Sequence, residues 1–477
     1  MFLVSYFGFL LWNLMTTWWI YNSSAFGALF AFLFNSSFYA LLFSLYRWSH
    51  IRLKKLNSSI FLVGLWISFE KFHLNWDFSW PWLNLGNAFS DHIYWIQWYE
   101  FTGVFGGSLW VLLINFGFLK IYQFYMKERE IKTAIKKSIP LLLGIGIPIA
   151  FSLILFIKQK EPTKKVEVIV LQPNIDPYNE KYQFSNISLL DRVELLTKGK
   201  ITQNTDYLLT PESYFDEGLG IDLKGYEYTP FRREIDSFLT KYPKLTFLNG
   251  IQSYRYYPNL KNPPSSSSNK IPSGWIDLYN SAIQFESSSV DQIYHKSKLV
   301  VGVEYMPYKS LLEPIIGPFL LDLGGTIASR GTQQNRSVFV NNNGVKTAPI
   351  ICYESIYGEF VTEYNRKGAQ FLSIITNDAW WGNTQGHKQL LSYARLRAIE
   401  NRREVARSAN TGISAFINSK GEIVQKLQYD EEGSLRAMVG VSDKITFYTT
   451  YGDYIARICF FLLILQVAFA IRSRKLS

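Results

Sequence analysis

Long apolar runs stand at both ends of this chain, and the charged residues concentrate between them. Crossing the hydrocarbon core of a bilayer takes roughly 20 mostly apolar residues. Runs of that kind are read at Phe2–Ile20, Ala25–Tyr46, Ile60–His73, Phe101–Tyr125, Pro140–Ile157 and Tyr454–Ile471. The third is short and ends at Glu70 and Lys71. The first could be a cleaved signal peptide, but it has no basic leading segment and no clean small-residue cleavage site, so it reads as a retained span.

The loops set an orientation. Arg47, Arg52, Lys54 and Lys55 follow the second run, and Lys127, Arg129, Lys132, Lys136 and Lys137 follow the fourth. Arg472, Arg474 and Lys475 follow the last. The stretch from Leu74 to Gln97 has no Lys or Arg but carries Trp76, Trp80, Trp82 and Trp95. Cations mark cytoplasmic loops, and tryptophan favours the membrane interface. If every run crosses, all the basic blocks fall on one side, and Glu161–Thr449 lies on the other. The net charge of +11 then reads as a positive-inside pattern rather than a nucleic-acid surface. No zinc-type Cys/His cluster and no phosphate-cradling glycine loop occurs. The expected division is membrane helices over 1–160, a water-soluble domain over 161–449, and a last span with its tail over 450–477.

Within that middle region the pattern changes to short β-branched runs with turn signals between them. They are Val166–Leu171, Tyr207–Leu209, Leu245–Leu248, Ala282–Phe285, Val338–Val340, Pro349–Cys352, Phe371–Thr376, Ile413–Ile417 and Ala437–Val441. Helical patterns at Gln183–Gly199, Phe231–Tyr242 and His387–Arg407 alternate with them. This is the make-up of a layered α/β fold. Pro258–Ser273, rich in Pro, Ser and Asn, reads as a surface loop.

The chain has only 2 cysteines. Cys459 lies in the last apolar run and Cys352 ends a strand of the middle region, so the two do not pair. Cys352 is either a small buried hydrophobe or a nucleophile. A residue at the C-terminal end of an α/β strand faces the ligand crevice. Two other strand ends carry charge: Tyr207–Thr210 leads to Glu212, and Ile293–His295 leads to Lys296, with Glu304 beyond. A carboxylate can take the thiol's proton, and an ammonium favours the thiolate and an oxyanion. Each such charge alone is ordinarily a solvated surface group.

The strings Thr210-Pro211-Glu212, Tyr294-His295-Lys296 through Glu304-Tyr305-Met306-Pro307, Cys352-Tyr353-Glu354, Thr376 through Gly382 and Arg407 through Ser414 resemble apolipoprotein N-acyltransferases. The resemblance covers nearly the whole chain. It implies a multi-span α-helical membrane domain plus a nitrilase-like α/β domain, an α-β-β-α sandwich. It implies Glu212 as general base, Lys296 as catalytic lysine, Cys352 as nucleophile and Glu304 as auxiliary carboxylate. Tyr353 and Glu354 would shape the site around the thiol, and Asn377, Trp380 and Trp381 its rim or a lid. Gln389, Arg395, Glu400 and Arg407 would be scaffold in a helical stretch. Two departures stand out. Val301-Gly302-Val303 replaces the family's Pro-Phe-Gly, and the first span here resembles the family's third.

The implied reaction is transfer of a fatty acyl chain from a membrane phospholipid, through a Cys352 thioester, to the N-terminal amine of a diacylglyceryl-cysteine apolipoprotein. No metal or organic cofactor is expected. The implied place is a bacterial inner membrane with the catalytic domain on the periplasmic side. Two alternatives use the same residues differently: a membrane-tethered nitrilase-type amidase, with water as acceptor, and an inactive scaffold.

Overall fold

A computed structural model of the protein describes residues 1–53, 55–287, 289–305, 307–308 and 329–474. Lys54, Met306 and Lys475, named above, lie outside the described residues. The chain divides into two compact units, the first Met1–Trp18, Ala28–Lys160 and Thr446–Ser477, the second Trp19–Gly27 and Glu161–Ile445.

The first unit is helical: α1 Phe2–Thr17, α2 Ala25–Arg52, α3 Lys55–His73, α4 Tyr99–Glu128, α5 Ile131–Lys158, a short helix Phe447–Tyr451 and a last helix Tyr454–Arg474. Each apolar run falls on a helix. Among the described residues four helices are long and apolar enough to cross a membrane: Gly27–Arg52, Tyr99–Glu128, Ile131–Lys158 and Tyr454–Arg472. The first run falls short because α1 has 16 residues, and α3, which ends in Glu70, Lys71 and His73, is not among the four. Buried charged groups of α3 are paired. Glu70 accepts from Trp66 Nε1 (3.0 Å), Leu85 N (2.8 Å) and Ser108 Oγ (2.6 Å), tying α3 to the following loop and to α4. Lys71 bonds Asp453 at 2.8 Å.

The second unit is a two-sheet sandwich. Its strands are β1 Lys165–Gln172, β2 Tyr207–Leu209, β3 Ile221–Asp222, β4 Thr246–Pro258, β5 Asn269–Ile271, β6 Gly274–Phe285, β7 Gln292–His295, β8 Phe339–Val340, β9 Lys346–Ile351, β10 Phe371–Thr376, β11 Val405–Ala409, β12 Ala415–Ile417, β13 Ile423–Lys426 and β14 Gly433–Gly440. Its helices are α6 Asn186–Thr197, α7 Pro230–Lys241, α8 Gly358–Arg366 and α9 Gln385–Asn401. One sheet runs β14-β1-β2-β4-β6-β5, with β3 on β4 and β7 on β6; the other runs β13-β12-β11-β10-β9-β8. The sheets meet through buried contacts. Ser408 Oγ donates to Leu171 O (2.7 Å), and the rings of Tyr207 and Phe371 cross at 5.1 Å. The apolar stripes of α6 and α7, including Leu189, Val193, Ile235 and Phe238, cover the outer face of the first sheet over Ile169, Leu208 and Phe247. Ser185 and Thr229 cap these helices, accepting from Ser188 N and Arg232 N. On the second sheet, Arg397 of α9 donates to Ile356 O at 2.8 Å.

Three readings need correction. The helical stretch His387–Arg407 ends at Asn401, where Arg402 turns to φ 48° and caps the helix, and Arg407 lies on β11. Its charged sequence hid a strand buried throughout. The short runs at Leu245–Leu248 and Ala282–Phe285 are the buried ends of a long β4–β6 ribbon, paired from Phe247–Phe285 to Pro258–Gly274. Half-exposed residues in its outer part broke the apolar signal. The loop read at Pro258–Ser273 carries β5, which pairs back onto β6. The second unit also takes in Trp19–Gly27, which the apolar pattern assigns to the first helices.

Candidate active site

Parallel strands β2, β9 and β10 each deliver a site residue just past their C-terminal ends. Cys352 follows β9 at φ 49° and begins a one-turn 3-10 helix, Cys352–Ile356. A non-glycine residue in that backbone region marks a sharp turn, and such strain concentrates at functional positions. Cys352 is buried, 7% exposed, and free of any disulfide.

Glu212 stands on the turn after β2, with Ser213 at φ 50°. Behind it passes Gly250 of β4, whose carbonyl accepts from Tyr214 N (2.8 Å) and Phe215 N (3.2 Å). A Cβ on Gly250 would lie 2.2 Å from Pro211 O and 2.6 Å from Glu212 Cα. Only glycine lets the two backbones approach this closely.

Lys296, just past β7, is 1% exposed. Its Nζ bonds Glu212 Oε1 at 2.8 Å and Glu304 Oε2 at 2.8 Å. Asn280 of β6 completes the cluster, its Nδ2 donating to Glu212 Oε1 (2.7 Å) and Glu304 Oε1 (2.8 Å). Asn377 N donates to Glu212 Oε2 at 3.1 Å, and Val300 N to Glu304 Oε2 at 2.9 Å. Two carboxylates thus meet at one ammonium, and one amide bridges them. The second oxygen of Glu212 has one donor among the described residues and keeps room for a proton.

Glu354, fully buried, ties the thiol's turn to the lysine's loop. It accepts from Ile351 N (2.9 Å), Ser297 N (2.7 Å) and Tyr294 Oη (2.7 Å). Tyr353 is buried with its ring crossed against Tyr357 at 5.4 Å. Past β10, Trp380 stands edge-on to Tyr178 at 5.2 Å, and Trp381 packs on Trp19 at 4.9 Å. Trp381 O accepts from Asn22 Nδ2 at 2.8 Å.

The four scaffold residues divide by element. Arg407 bonds Asp378 Oδ2 (2.8 Å) and Ile413 O (2.7 Å), and Glu400 pairs with Arg397 at 2.9 Å. Arg395 Nε donates to Gly421 O (2.8 Å), and Gln389 O accepts from Ser392 Oγ (2.8 Å). Asn280 carries no sequence signal, being an uncharged residue whose contacts exist only once Glu212 and Glu304 converge. Asp378 and Thr376, within Thr376 through Gly382, are further residues of the site that their sequence does not mark. Thr376 Oγ1 donates to Asp378 Oδ1 at 2.7 Å and also reaches the thiol of Cys352.

Burial pushes the Cys352 thiol up, Glu212 adds to the rise, and Lys296 opposes it. The resting sulfur is therefore protonated at neutral pH. Burial works against the charge of Lys296, but Glu212 and Glu304 overcome it and hold the ammonium above the ordinary lysine range. Burial likewise works against Glu304, yet Lys296 and Arg330 hold its carboxyl below the ordinary carboxylate range. Burial pushes Glu354 up to about 7. The arrangement is a buried thiol beside a permanent cation and a carboxylate able to take its proton, as nucleophilic acyl transfer requires. Among the described residues no group of His, Cys, Asp and Glu has the make-up of a metal site.

Known proteins resemble this chain along most of its length. The family model of the apolipoprotein N-acyltransferase N-terminal domain matches residues 1–117, and that of carbon-nitrogen hydrolase matches residues 268–443. The second match contains Lys296, Glu304 and Cys352 and leaves Glu212 outside. The Chlorobaculum tepidum protein named apolipoprotein N-acyltransferase is 26% identical over 98% of this chain and 88% of its own length. The Haemophilus influenzae protein of that name is 25% identical over 88% of this chain and 77% of its own. Among solved structures, Saccharomyces cerevisiae Nit3, of the nitrilase superfamily, aligns at TM-score 0.41 and 15% identity, covering 59% of this chain and 92% of its own. With both domain matches in order and relatives aligned along nearly all its length, the chain is similar throughout to proteins named apolipoprotein N-acyltransferase.

Proposed function

We propose that the protein moves a fatty acyl chain from a membrane phospholipid onto the N-terminal amine of a diacylglyceryl-cysteine apolipoprotein. In this reading residues 161–449 carry the chemistry on the periplasmic side of a bacterial inner membrane, and residues 1–160 and 450–477 hold it there. The observation that carries the reading is the cluster of Glu212, Lys296, Glu304 and Asn280, with its charges felt at the Cys352 sulfur.

Glu212 takes the thiol proton as Sγ attacks the ester carbonyl. Lys296 stabilises the oxyanion, an interaction commonly worth about 3–4 kcal/mol per donor. The C–O bond then breaks, and the lysophospholipid oxygen leaves with the proton from Glu212. In the second half the free amine attacks the thioester. Glu212 receives the amine's proton, the C–S bond breaks, and the sulfur regains a proton. The ammonium stays charged throughout, since Glu304 keeps its negative charge against it while Glu212 carries the proton. Trp380 and Trp381 line the approach, and the buried thiol position shields the thioester from water.

The test is to incubate the purified protein with phospholipid and weigh it intact. A fatty-acyl adduct is expected on the wild type and absent from Cys352→Ala. An adduct that survives in the variant overturns the assignment. Adding a short amide and finding turnover without lipid would instead favour the amidase.

A further inference from the structure

We propose that the helical unit binds one acidic phospholipid in a groove between α3, α4 and the last helix, with one acyl chain lying along it and the phosphate at Lys120. The site is lined only by helices of that unit, and its existence does not depend on the acyl-transfer reading.

The groove has a volume of about 460 Å³ and is lined by apolar side chains except at Ser59 and Lys120. Along α4 its wall is Leu109, Leu113, Phe116 and Lys120, spaced by four, three and four residues, so one helix face carries an apolar stripe that ends on a cation. From Leu109 to Lys120 this stripe rises roughly 16 Å at 1.5 Å per residue. That is about half the ~30 Å hydrocarbon core, the reach of one leaflet's acyl chain.

The polar groups gather at one end. Glu70 of α3 bonds Ser108 of α4, which puts these two residues at one level of an antiparallel pair. Eleven residues back from Glu70 is Ser59, and twelve forward from Ser108 is Lys120. Hydroxyl and ammonium therefore sit together at the far end of the groove. Lys120 is exposed, and the lining contains no Asp or Glu to neutralise it.

These features select the occupant. Lipid tails are as apolar as leucine, so an apolar groove facing them gains little from transfer alone, and packing and polar contacts decide what stays. A 460 Å³ groove left empty forfeits dispersion contacts along its walls. A flexible chain fills it, and a phosphate meets the lysine. Basic positions between membrane helices bind acidic headgroups in this way.

The test places the full chain in phosphatidylcholine nanodiscs with a small fraction of phosphatidylglycerol bearing a diazirine in one acyl chain. After irradiation, adducts are mapped by peptide mass spectrometry. Labelling is expected to concentrate on residues 109–120 and 455–462. Lys120→Glu should lower it about fivefold, the worth of one basic contact to a lipid phosphate. The wedges Leu113→Trp and Ile458→Trp should lower it as much, and Leu142→Trp on exposed α5 should leave it unchanged. Lys120→Gln repeats the charge test should Lys120→Glu fail to give monodisperse protein. Equal labelling on α5 and in the groove, or labelling indifferent to the wedges, overturns the site. Equal labelling by a diazirine diacylglycerol overturns the part given to the phosphate.

Discussion

Each unit buries a carboxylate that accepts at least three hydrogen bonds, and the two are built differently. Glu70 in the helical unit is held by an indole, a hydroxyl and a backbone amide, all neutral donors, from α3, α4 and the loop between them. Glu212 in the sandwich is held by an ammonium, a side-chain amide and a backbone amide contributed by separate strands, and a thiol feels its charge. The same side chain is a fastener in one setting and, in the proposed reaction, a proton acceptor in the other. What differs is the company: a mobile proton needs a partner to exchange with, and a cation keeps the carboxylate charged until it does. Burial alone therefore says little about function.

The sharpest way to break this contrast is Glu212→Gln, which keeps the shape and removes the base. Acyl-enzyme formation should fall about 10²–10⁴-fold, measured as the rate at which the intact-mass adduct appears. Lys296→Met comes next. It leaves two buried carboxylates without their cation and should cost roughly 3–5 kcal/mol of stability. Thermal or denaturant unfolding in detergent reads this directly, and adding Glu304→Gln should restore part of the loss. A stable, active Lys296→Met would end the case for a cation-held base.

Two smaller effects sharpen the comparison. Burial and Glu212 both raise the Cys352 thiol, so in the resting enzyme the thiolate forms only at high pH. Alkylation by iodoacetamide should still climb about tenfold per pH unit above pH 9, where an ordinary thiol (pKa ~8.5) levels off. A plateau below pH 8 would contradict the burial. Glu70→Gln should cost only about 1–2 kcal/mol, the scale of weakened neutral hydrogen bonds. It should leave adduct formation by the folded fraction intact.

The helices were readable because an apolar run long enough for a bilayer has few other uses. The strands leading to Glu212, Lys296 and Cys352 were readable as well, since their buried residues are mostly aliphatic or aromatic. The outer half of the β4–β6 ribbon was not, because its pairing extends past the core into half-exposed residues such as Tyr256 and Trp275. Arg407 misled for another reason. A charge-rich run looks helical when its partner, here Asp378, comes from a different strand. Asn280 shows the deeper limit. An amide between two carboxylates has meaning only in three dimensions, and Tyr279-Asn280-Ser281 carries no mark of it.

The left-handed backbone at Cys352 also limits which chemistries this turn could ever adopt. Side chains that fork at the β-carbon tolerate that conformation worst, so a threonine, although it carries a hydroxyl, would strain the turn before it could react. An unbranched serine fits the space but offers a poorer attacking atom. Geometry thus narrows the choice of reacting atom before reactivity is asked about, and a sulfur on a single methylene is what remains.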